Sequence, residues 1–305
     1  MSPWQGIFPS ITTKFNSRDQ IDVAEMERCM TLLLDAGVHG LILAGSLGEG
    51  HTLDMIEKTE ILKTAVRIAA GRVPVVMTVS NASTREACLF AEVSAKNGAD
   101  GLMVLPGIPY RSDPKETETH YRTVARAGGI PIMIYNNPPD YGVDMTPEFL
   151  ARLADEPLFC SIKEASGDLK RITRIINLTG DRYGIFAGID PLALESLLMG
   201  ASGWVAGLVA AFPRETVAIY HYALKGHFAE ARRIYRWFQP LLELDDSVKR
   251  VQNVKLVELM VNGSPDRCRL PRQPLSGEER SHLEKLVRYT MVSRAGLFLH
   301  PPAAE

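Results

Sequence analysis

The sequence predicts an α/β protein that folds as a TIM (β/α)8 barrel with a C-terminal helical extension. Eight short apolar runs rich in β-forming residues alternate with segments of helical periodicity, at a spacing of roughly 30 residues per strand-plus-helix unit. The runs are nearly continuous in apolar residues, as expected for parallel strands covered by helices. No Gly-x-Gly-x-x-Gly motif follows the first run, which favours a closed barrel over an open doubly wound sheet.

The elements follow one another in a regular order along the chain. The predicted strands are residues 6–13, 39–45, 73–80, 100–106, 130–136, 158–165, 183–189 and 202–208. Between them, helical periodicity is found at residues 23–36, 84–97, 117–127 and 169–178. The second of these helices begins at a Ser/Thr pair and stops before Gly98, which is typical of an N-cap and a glycine beyond the C-terminus.

The chain after the eighth run is predicted to be almost wholly helical. Amphipathic spacing occurs at residues 214–224, 228–242, 247–261 and 277–292, and the barrel needs only the first of these helices. We therefore expect a catalytic barrel at residues 1–225, a helical extension at 226–296 and a tail at 297–305.

Composition excludes several classes of partner. Of 305 residues, 46% are hydrophobic and 23% charged, the net charge is −2, and no basic run stands out, which argues against nucleic acid and anionic membranes. The four cysteines and seven histidines show no metal-ligand or redox spacing. No signal-peptide pattern opens the chain and no apolar stretch is long enough to span a bilayer, so we expect a cytoplasmic protein without a metal or other cofactor.

Lys163 is the most informative candidate residue. In a β/α barrel the active site lies at the C-terminal ends of the strands, and Lys163 lies near that end of the sixth predicted strand. Burial there would lower the pKa of its amine, and a neutral amine can form a Schiff base with a carbonyl. From strand position alone, an ion pair with Glu164 or with another barrel carboxylate is an equally good interpretation.

Two further features lie at the ends of neighbouring strands. Tyr135 closes the fifth run, where a phenol could move protons on a bound substrate, although a buried structural tyrosine is the simpler reading. Residues 45–49 form a glycine-containing turn whose backbone N–H groups could hold a carboxylate, although Ser46 could also merely cap a helix.

Together these residues resemble a known family. Gly-Ser-Leu-Gly-Glu at 45–49, Tyr-Asn-Asn-Pro at 135–138 and Ile-Lys-Glu at 162–164, each at the end of the appropriate strand, are similar to the motifs of the dihydrodipicolinate synthase / N-acetylneuraminate lyase family. The resemblance extends from about residue 6 to residue 288. It implies a class I lyase in which a lysine forms a Schiff base with pyruvate or a related small 2-oxo acid.

The resemblance also implies roles for particular residues. Lys163 would be the nucleophile and Tyr135 the general acid/base, with Ser46 relaying protons to Tyr135. The backbone of Ser46 and Leu47 would hold the substrate carboxylate, and Gly188 and Val205 would line the pocket. Tyr110 looks similar to a tyrosine that family members insert into a neighbouring subunit's site, within a homotetramer built as a dimer of dimers.

Two departures from the family pattern bear on the substrate. Leu47 stands where the loop usually has a threonine. Asp140 stands where authentic dihydrodipicolinate synthases have an arginine that binds the carboxylate of aspartate semialdehyde. An acid at this position would repel a second carboxylate unless Arg111 or another cation compensates for its charge. We therefore expect Asp140 to contact the substrate.

Four functions are consistent with this pattern. We favour an aldolase or dehydratase acting on pyruvate or a related 2-oxo acid. The alternatives are 4-hydroxy-tetrahydrodipicolinate synthase, which condenses pyruvate with aspartate semialdehyde, and a hydro-lyase or deaminase acting on a hydroxylated 2-oxo acid or cyclic imine. The last alternative is a barrel that binds a 2-oxo acid without catalysis.

Overall fold

A computed structural model describes residues 2–107, 109–294 and 297 and contains eight parallel strands. They are β1 (Gly6–Pro9), β2 (Leu41–Leu43), β3 (Val75–Val79), β4 (Gly101–Val104), β5 (Ile132–Asn136), β6 (Phe159–Glu164), β7 (Gly184–Ala187) and β8 (Gly203–Ala206). Each lies inside a predicted run and is shorter than predicted. The predicted runs include buried residues beyond the strand ends, because apolar periodicity does not show where the backbone hydrogen bonds between strands stop.

The strands form a barrel. Seven ladders join them in the order β1-β8-β7-β6-β5-β4-β3-β2, and an isolated parallel bridge between Ser10 and Ile42 brings the two ends of this order together. The backbone N–H of Ile11 donates to the carbonyl of Ile42 at 3.0 Å across the same seam. The predicted barrel is confirmed, and the open sheet is excluded.

Twelve α-helices are found within the described residues. They are α1 (Val23–Asp35), α2 (Met55–Ala69), α3 (Thr84–Lys96), α4 (Pro114–Gly128), α5 (Pro138–Tyr141), α6 (Pro147–Arg152), α7 (Lys170–Thr179), α8 (Ala193–Leu198), α9 (Pro213–Leu224), α10 (Phe228–Leu242), α11 (Arg250–Asn262) and α12 (Gly277–Arg294). Side chains of Asp22, Asp54, Ser83 and Asp113 cap α1 to α4 by accepting from backbone N–H groups three residues later. No helix in the described part of the chain is long and apolar enough to cross a membrane.

The interior of the barrel is filled from its N-terminal end. Phe8 and Phe186 meet edge to face with ring centroids 5.0 Å apart, and Trp4 packs beneath them. Gly101 leaves room for the Trp4 ring, because a Cβ at this glycine would collide with it. These rings fill the N-terminal end of the barrel interior, whereas the functional residues were predicted at the opposite, C-terminal ends of the strands.

The C-terminal helices contact the barrel through buried ionic groups. Lys14, just after β1, lies 2.7 Å from Glu258 of α11, and both side chains are buried. Thr12 donates to the same carboxylate at 2.8 Å. The division of the chain at residue 225 stays a prediction. Of the predicted tail, only residue 297 is described, and residues 298–305 lie outside the described residues.

Candidate active site

A cavity opens at the C-terminal ends of the strands, which we call the inner cavity. Its volume is about 30 Å³, and its lining residues are Ser10, Ser46, Leu47, Met103, Tyr135, Lys163, Gly188, Val205, Gly207, Asp245 and Arg250. A space of this size holds about two or three water molecules. Six predicted site residues therefore meet around one small space: Lys163, Tyr135, Ser46, Leu47, Gly188 and Val205.

Lys163 points into the inner cavity from β6. Its side chain is buried, and its Nζ lies 4.0 Å from the centroid of the Tyr135 ring on the adjacent strand β5. Burial lowers the pKa of the amine. Within the described residues, no carboxylate oxygen lies within 4.0 Å of Nζ in an ion pair. The amine is therefore buried, faces the cavity, and forms no direct ion pair with a carboxylate of the described residues.

Glu164 points away from Lys163, because successive side chains of a strand face opposite sides. Its carboxylate accepts from Asn136 Nδ2 at 3.0 Å and from the backbone N–H of Ser166 at 2.7 Å. Arg171 lies 4.0 Å from the same carboxylate. Since Glu164 has these other partners, its predicted alternative role as the ion-pair partner of Lys163 is excluded.

The loop after β2 presents backbone donors to the inner cavity. A turn is closed by the N–H of Gly50 donating to the carbonyl of Gly45 at 3.0 Å, and Glu49 adopts a left-handed conformation with φ of 55°. Among the described residues, the N–H groups of Ser46 and Leu47 have no hydrogen-bond acceptor. Two such donors on one turn can hold an anionic group such as a carboxylate.

Two tyrosines lie beside Lys163. The Tyr135 and Tyr141 rings meet edge to face with centroids 5.7 Å apart, and burial raises the pKa of both phenols. Tyr135 Oη accepts from Asn137 Nδ2 at 3.1 Å, whereas Tyr141 Oη forms a short hydrogen bond with Ser46 Oγ. The direct partner of Ser46 is therefore Tyr141, and the predicted relay from Ser46 to Tyr135 is not a direct hydrogen bond in this arrangement.

Gly188 and Val205 complete the wall at the ends of β7 and β8. A Cβ at Gly188 would lie 2.8 Å from both the Cβ of Ala165 and the backbone oxygen of Glu164. Such a distance is a severe clash, so only glycine fits this position beside the strand that carries Lys163. Val205 is buried and lines the cavity with an apolar side chain.

Asp140 lies outside the inner cavity, in a wider space that we call the outer cavity. The outer cavity measures about 440 Å³, and its lining residues are Ser46, His51, Asp140, Tyr141, Asp246, Ser247, Val248, Arg250, Val251 and Arg272. Asp140 forms a bidentate ion pair with Arg250. Nη1 and Nη2 of Arg250 lie 2.7 and 3.2 Å from the two carboxylate oxygens of Asp140. The cation beside Asp140 is thus Arg250, whereas Arg111 packs against Gly142.

Asp245 brings a carboxyl group into the inner cavity. It lies on the turn between α10 and α11, against Gly207, and its Oδ2 accepts a long 3.5 Å hydrogen bond from the backbone N–H of Asp190. Asp190 accepts from Trp204 Nε1 at 2.9 Å and from the N–H groups of Gly207 and Leu208. Burial and the nearby charge of Asp245 raise the pKa of Asp190 to about 7, and burial raises the pKa of Asp245.

Tyr110 lies on the surface. Its side chain is 63% exposed, and its hydroxyl donates to Glu116 Oε2 at 3.1 Å at the start of α4. It lines neither the inner nor the outer cavity of its own chain. Any role in catalysis would therefore require a second copy of the protein.

Several site residues were missed by sequence reasoning. Ser10 and Gly207 directly follow β1 and β8, so the strand-end rule could have found them. Tyr141 lies in the short helix after the Tyr135 motif. Asp245 and Arg250 come from beyond the eighth strand, and nothing in their local sequence indicates a barrel mouth. In the described part of the chain, no group of three or more His, Cys, Asp or Glu side chains could hold a metal ion.

Sequence comparisons give a consistent result along nearly the whole chain. A family model described as the dihydrodipicolinate synthetase family matches residues 3–290. A protein of Methanospirillum hungatei named 4-hydroxy-tetrahydrodipicolinate synthase is 32% identical over 292 residues, which cover 94% of this chain and 99% of the relative. A protein of the same name from Natronomonas pharaonis is 32% identical and covers 92% of this chain and 96% of its own.

Solved structures agree with the sequence comparisons. The crystal structure of dihydrodipicolinate synthase from Aquifex aeolicus matches with a TM-score of 0.90 and 26% identity, covering 99% of this chain and 100% of the other. The 4-hydroxy-tetrahydrodipicolinate synthase of Methylacidiphilum fumariolicum SolV matches with a TM-score of 0.91 and 26% identity, covering 96% and 98%. The shared fold includes both the barrel and the helices that follow it.

Proposed function

This chain belongs to the dihydrodipicolinate synthetase family, a family of class I lyases that use a lysine Schiff base, and from that premise we propose that Lys163 forms an imine with pyruvate or a related small 2-oxo acid. The observation that carries the proposal is the position of Lys163 Nζ. It faces a cavity of about 30 Å³, lies 4.0 Å from the Tyr135 ring, and has no ion-paired carboxylate among the described residues.

Lys163 attacks the keto carbon in its neutral form. Burial lowers the pKa of its amine and so raises the neutral fraction near pH 7. The loop after β2 supports binding of the substrate carboxylate, because the N–H groups of Ser46 and Leu47 have no acceptor within the described chain. Leu47, Gly188 and Val205 surround the three-carbon core.

Proton transfer is assigned to Tyr135, with Ser46 and Tyr141 beside it. Burial raises the pKa of the Tyr135 phenol, so it starts the reaction protonated. It first donates this proton to the carbinolamine hydroxyl, which leaves as water when the imine forms. The resulting phenolate, next to the positive iminium, then removes a proton from the carbon beside the imine and gives an enamine. Ser46 and Tyr141 share a short hydrogen bond at the edge of the same cavity.

The distal half of the substrate would occupy the outer cavity. The names of the relatives support 4-hydroxy-tetrahydrodipicolinate synthase as the second candidate, with aspartate semialdehyde as the partner of the enamine. Arg250 offers this second carboxylate a guanidinium group, but Asp140 already binds it with two hydrogen bonds. The Asp140–Arg250 ion pair is therefore more compatible with a lyase that acts on a longer 2-oxo acid without a distal carboxylate.

We extend the proposal to assembly and location. In a homotetramer built as a dimer of dimers, the exposed Tyr110 of one copy would reach the site of its neighbour. Sedimentation velocity should then give a tetramer, and a monomer with full activity would contradict this assembly. The four unpaired cysteines support a cytoplasmic location, where thiols stay reduced.

The direct test is chemical capture of the imine. Purified protein incubated with pyruvate and borohydride should gain a reduced adduct, and peptide mapping should place it on Lys163. Lys163→Ala should gain none, whereas Lys170→Ala, which alters a lysine that is 90% exposed, should be labelled like the unaltered protein. Absence of an adduct from the unaltered protein, or its presence on another lysine, would refute the proposal.

A further inference from the structure

Asp245 brings into the inner cavity a carboxylate that no ion pair neutralises. It lies on the turn after α10, is partly buried, and lines the same space of about 30 Å³ as Lys163. Its Oδ2 accepts the long 3.5 Å bond from the backbone N–H of Asp190. Within the described part of the chain, the Asp245 carboxylate forms no ion pair. Its charge is therefore available to a cation that forms inside the cavity.

The other cation of the inner cavity, Arg250, is already engaged. Its Nη1 and Nη2 donate to Asp140 at 2.7 and 3.2 Å, and its Nε donates to the carbonyl of Ser247 at 3.3 Å. Among the described residues, Arg250 thus acts on Asp245 through its charge alone and not through a direct hydrogen bond. The one nitrogen of the cavity that can still become the partner of Asp245 is that of Lys163.

Asp245 is the member of the Asp190–Asp245 pair that stays charged. Burial raises the pKa of Asp245, but the charges of Lys163 and Arg250 act in the opposite direction. Burial and the charge of Asp245 raise the pKa of Asp190 to about 7. The pair therefore accepts its first proton at Asp190, which does not line the inner cavity, and Asp245 keeps its negative charge beside Lys163.

Resting on the proposed imine at Lys163, we propose that the Asp245 carboxylate is the counter-ion of the protonated imine. It acts across the inner cavity rather than through a direct bond with Nζ, so the space between the two groups stays open to the substrate. This role belongs to the C-terminal helices, since Asp245 comes from the turn between α10 and α11.

Imine formation places a positive charge in this buried space. Neutral Lys163 adds to the keto carbon, and the keto oxygen leaves as water with one proton from the amine and one from Tyr135. The nitrogen keeps its other proton and becomes an iminium. Burial lowers the pKa of the Lys163 amine and penalises the iminium charge in the same way. Of the charges near Lys163, that of Asp245 most strongly favours a positive nitrogen.

A counter-ion has a pH signature that a purely structural residue lacks. Above the pKa of Lys163, imine formation creates a positive charge, so Asp245 strengthens the capture of pyruvate. Below that pKa, the ammonium group is already positive, and its conversion to the iminium leaves the charge unchanged. Removal of the carboxylate should therefore lower the pKa of Lys163 and weaken capture above this pKa by the same factor, because both changes report one interaction.

The test compares Asp245→Asn with the unaltered protein at pH values above the Asp190 transition near 7. Competitive labelling with acetic anhydride and peptide mapping gives the pKa of Lys163 without substrate. Titration with pyruvate, followed by quenching in borohydride, gives the half-saturating pyruvate concentration.

Asp245→Asn should lower the pKa of Lys163 by about one unit or more, because an opposite charge at short range shifts a pKa by about 1–3 units. Above that pKa, the half-saturating pyruvate concentration should rise by the matching factor, about 10-fold or more. Below it, the concentration should be unchanged or lower, because pyruvate is itself an anion that Asp245 repels. Asp245→Ala removes the same charge and should give the same shifts if the asparagine variant does not fold.

Two control variants separate charge from shape. Asp245→Glu keeps the carboxylate and should retain the pH profile of the unaltered protein. Glu243→Gln alters an exposed acid on the same turn and should leave both measurements unchanged. An unchanged pKa of Lys163 in Asp245→Asn, or weaker capture by one factor at every pH, would overturn the counter-ion while leaving the imine intact. Failure of the unaltered protein to be captured would refute the proposed function instead.

Discussion

Lys255 of α11 and Glu49 of the loop after β2 form an ion pair in which both side chains are fully buried. The same carboxylate accepts from the backbone N–H of Arg269 at 2.9 Å, and Lys255 also donates to the carbonyl of Arg267 at 2.6 Å. Glu49 is in a left-handed conformation at the end of the loop that carries Ser46. The C-terminal helices therefore fix the loop proposed to bind the substrate carboxylate.

Breaking this pair should both destabilise the protein and impair pyruvate binding. Lys255→Met leaves the Glu49 carboxylate buried without its cation, which should lower the free energy of unfolding by about 3–5 kcal/mol. Urea denaturation would measure this loss. The double variant Glu49→Gln/Lys255→Met keeps an acceptor for Arg269 and removes both charges, so it should recover part of the stability. A double variant less stable than the single one would argue against a charge effect.

Freeing Arg250 should change the selectivity for the distal half of the substrate. Asp140→Asn removes the carboxylate that holds the guanidinium at 2.7 Å. A distal substrate carboxylate could then bind Arg250 instead. A charged hydrogen bond contributes about 1.5–3 kcal/mol, so the KM for a substrate with a distal carboxylate should be roughly 10- to 100-fold lower. Steady-state kinetics with and without a distal carboxylate on the substrate would measure the change.

A matched control exists for this variant. Asp144→Asn breaks a similar bidentate ion pair with Arg171, whose Nη1 and Nη2 lie 2.7 and 2.6 Å from the Asp144 carboxylate oxygens. Asp144 lines neither the inner nor the outer cavity. It should leave selectivity unchanged. If both variants alter the KM alike, the effect reflects general loosening of the segment after Tyr135 rather than release of Arg250.

The Tyr141 hydroxyl should matter for turnover more than for stability. Tyr141→Phe removes the hydrogen-bond partner of Ser46 and should slow imine formation by about 10²-fold or more, the usual effect of losing a proton-transfer group. Stopped-flow measurement of pyruvate capture would show this. Tyr183→Phe is the control, because that hydroxyl donates to the carbonyl of Leu150 at 3.0 Å away from the cavity. Unchanged capture by Tyr141→Phe would limit the role of this tyrosine to packing.

Pyruvate capture should depend on pH in a direction set by the burial of Lys163. The pKa of its amine is lowered, so the neutral, reactive form appears at lower pH than for an ordinary lysine of pKa about 10.4. The rate of reductive capture by cyanoborohydride should rise with pH and reach its plateau before that of a free lysine derivative measured alongside. A midpoint equal to that of the free derivative would show that the amine behaves as if exposed to solvent.

Much of the fold could be predicted because its signals are local. Helix α10 begins and ends at the predicted residues, and every observed strand lies within a predicted run. Lys163, Tyr135 and the loop that carries Ser46 and Leu47 were found because each lies near the C-terminal end of a predicted strand, and these ends converge in a barrel. Gly188 and Val205 were expected only from the family resemblance. Their chemical roles remain predictions that the experiments above test.

Sequence by itself determined that eight strand-plus-helix units close into a barrel with Lys163 at its mouth, since periodicity and strand-end position are properties of neighbouring residues. Only the tertiary structure decided what surrounds that amine. Glu164 proved to face away from it, Arg250 to hold Asp140 from 110 residues away along the chain, and Asp245 to enter the cavity from beyond the last strand. Such contacts depend on how the C-terminal helices pack across the barrel, and no local pattern encodes that packing.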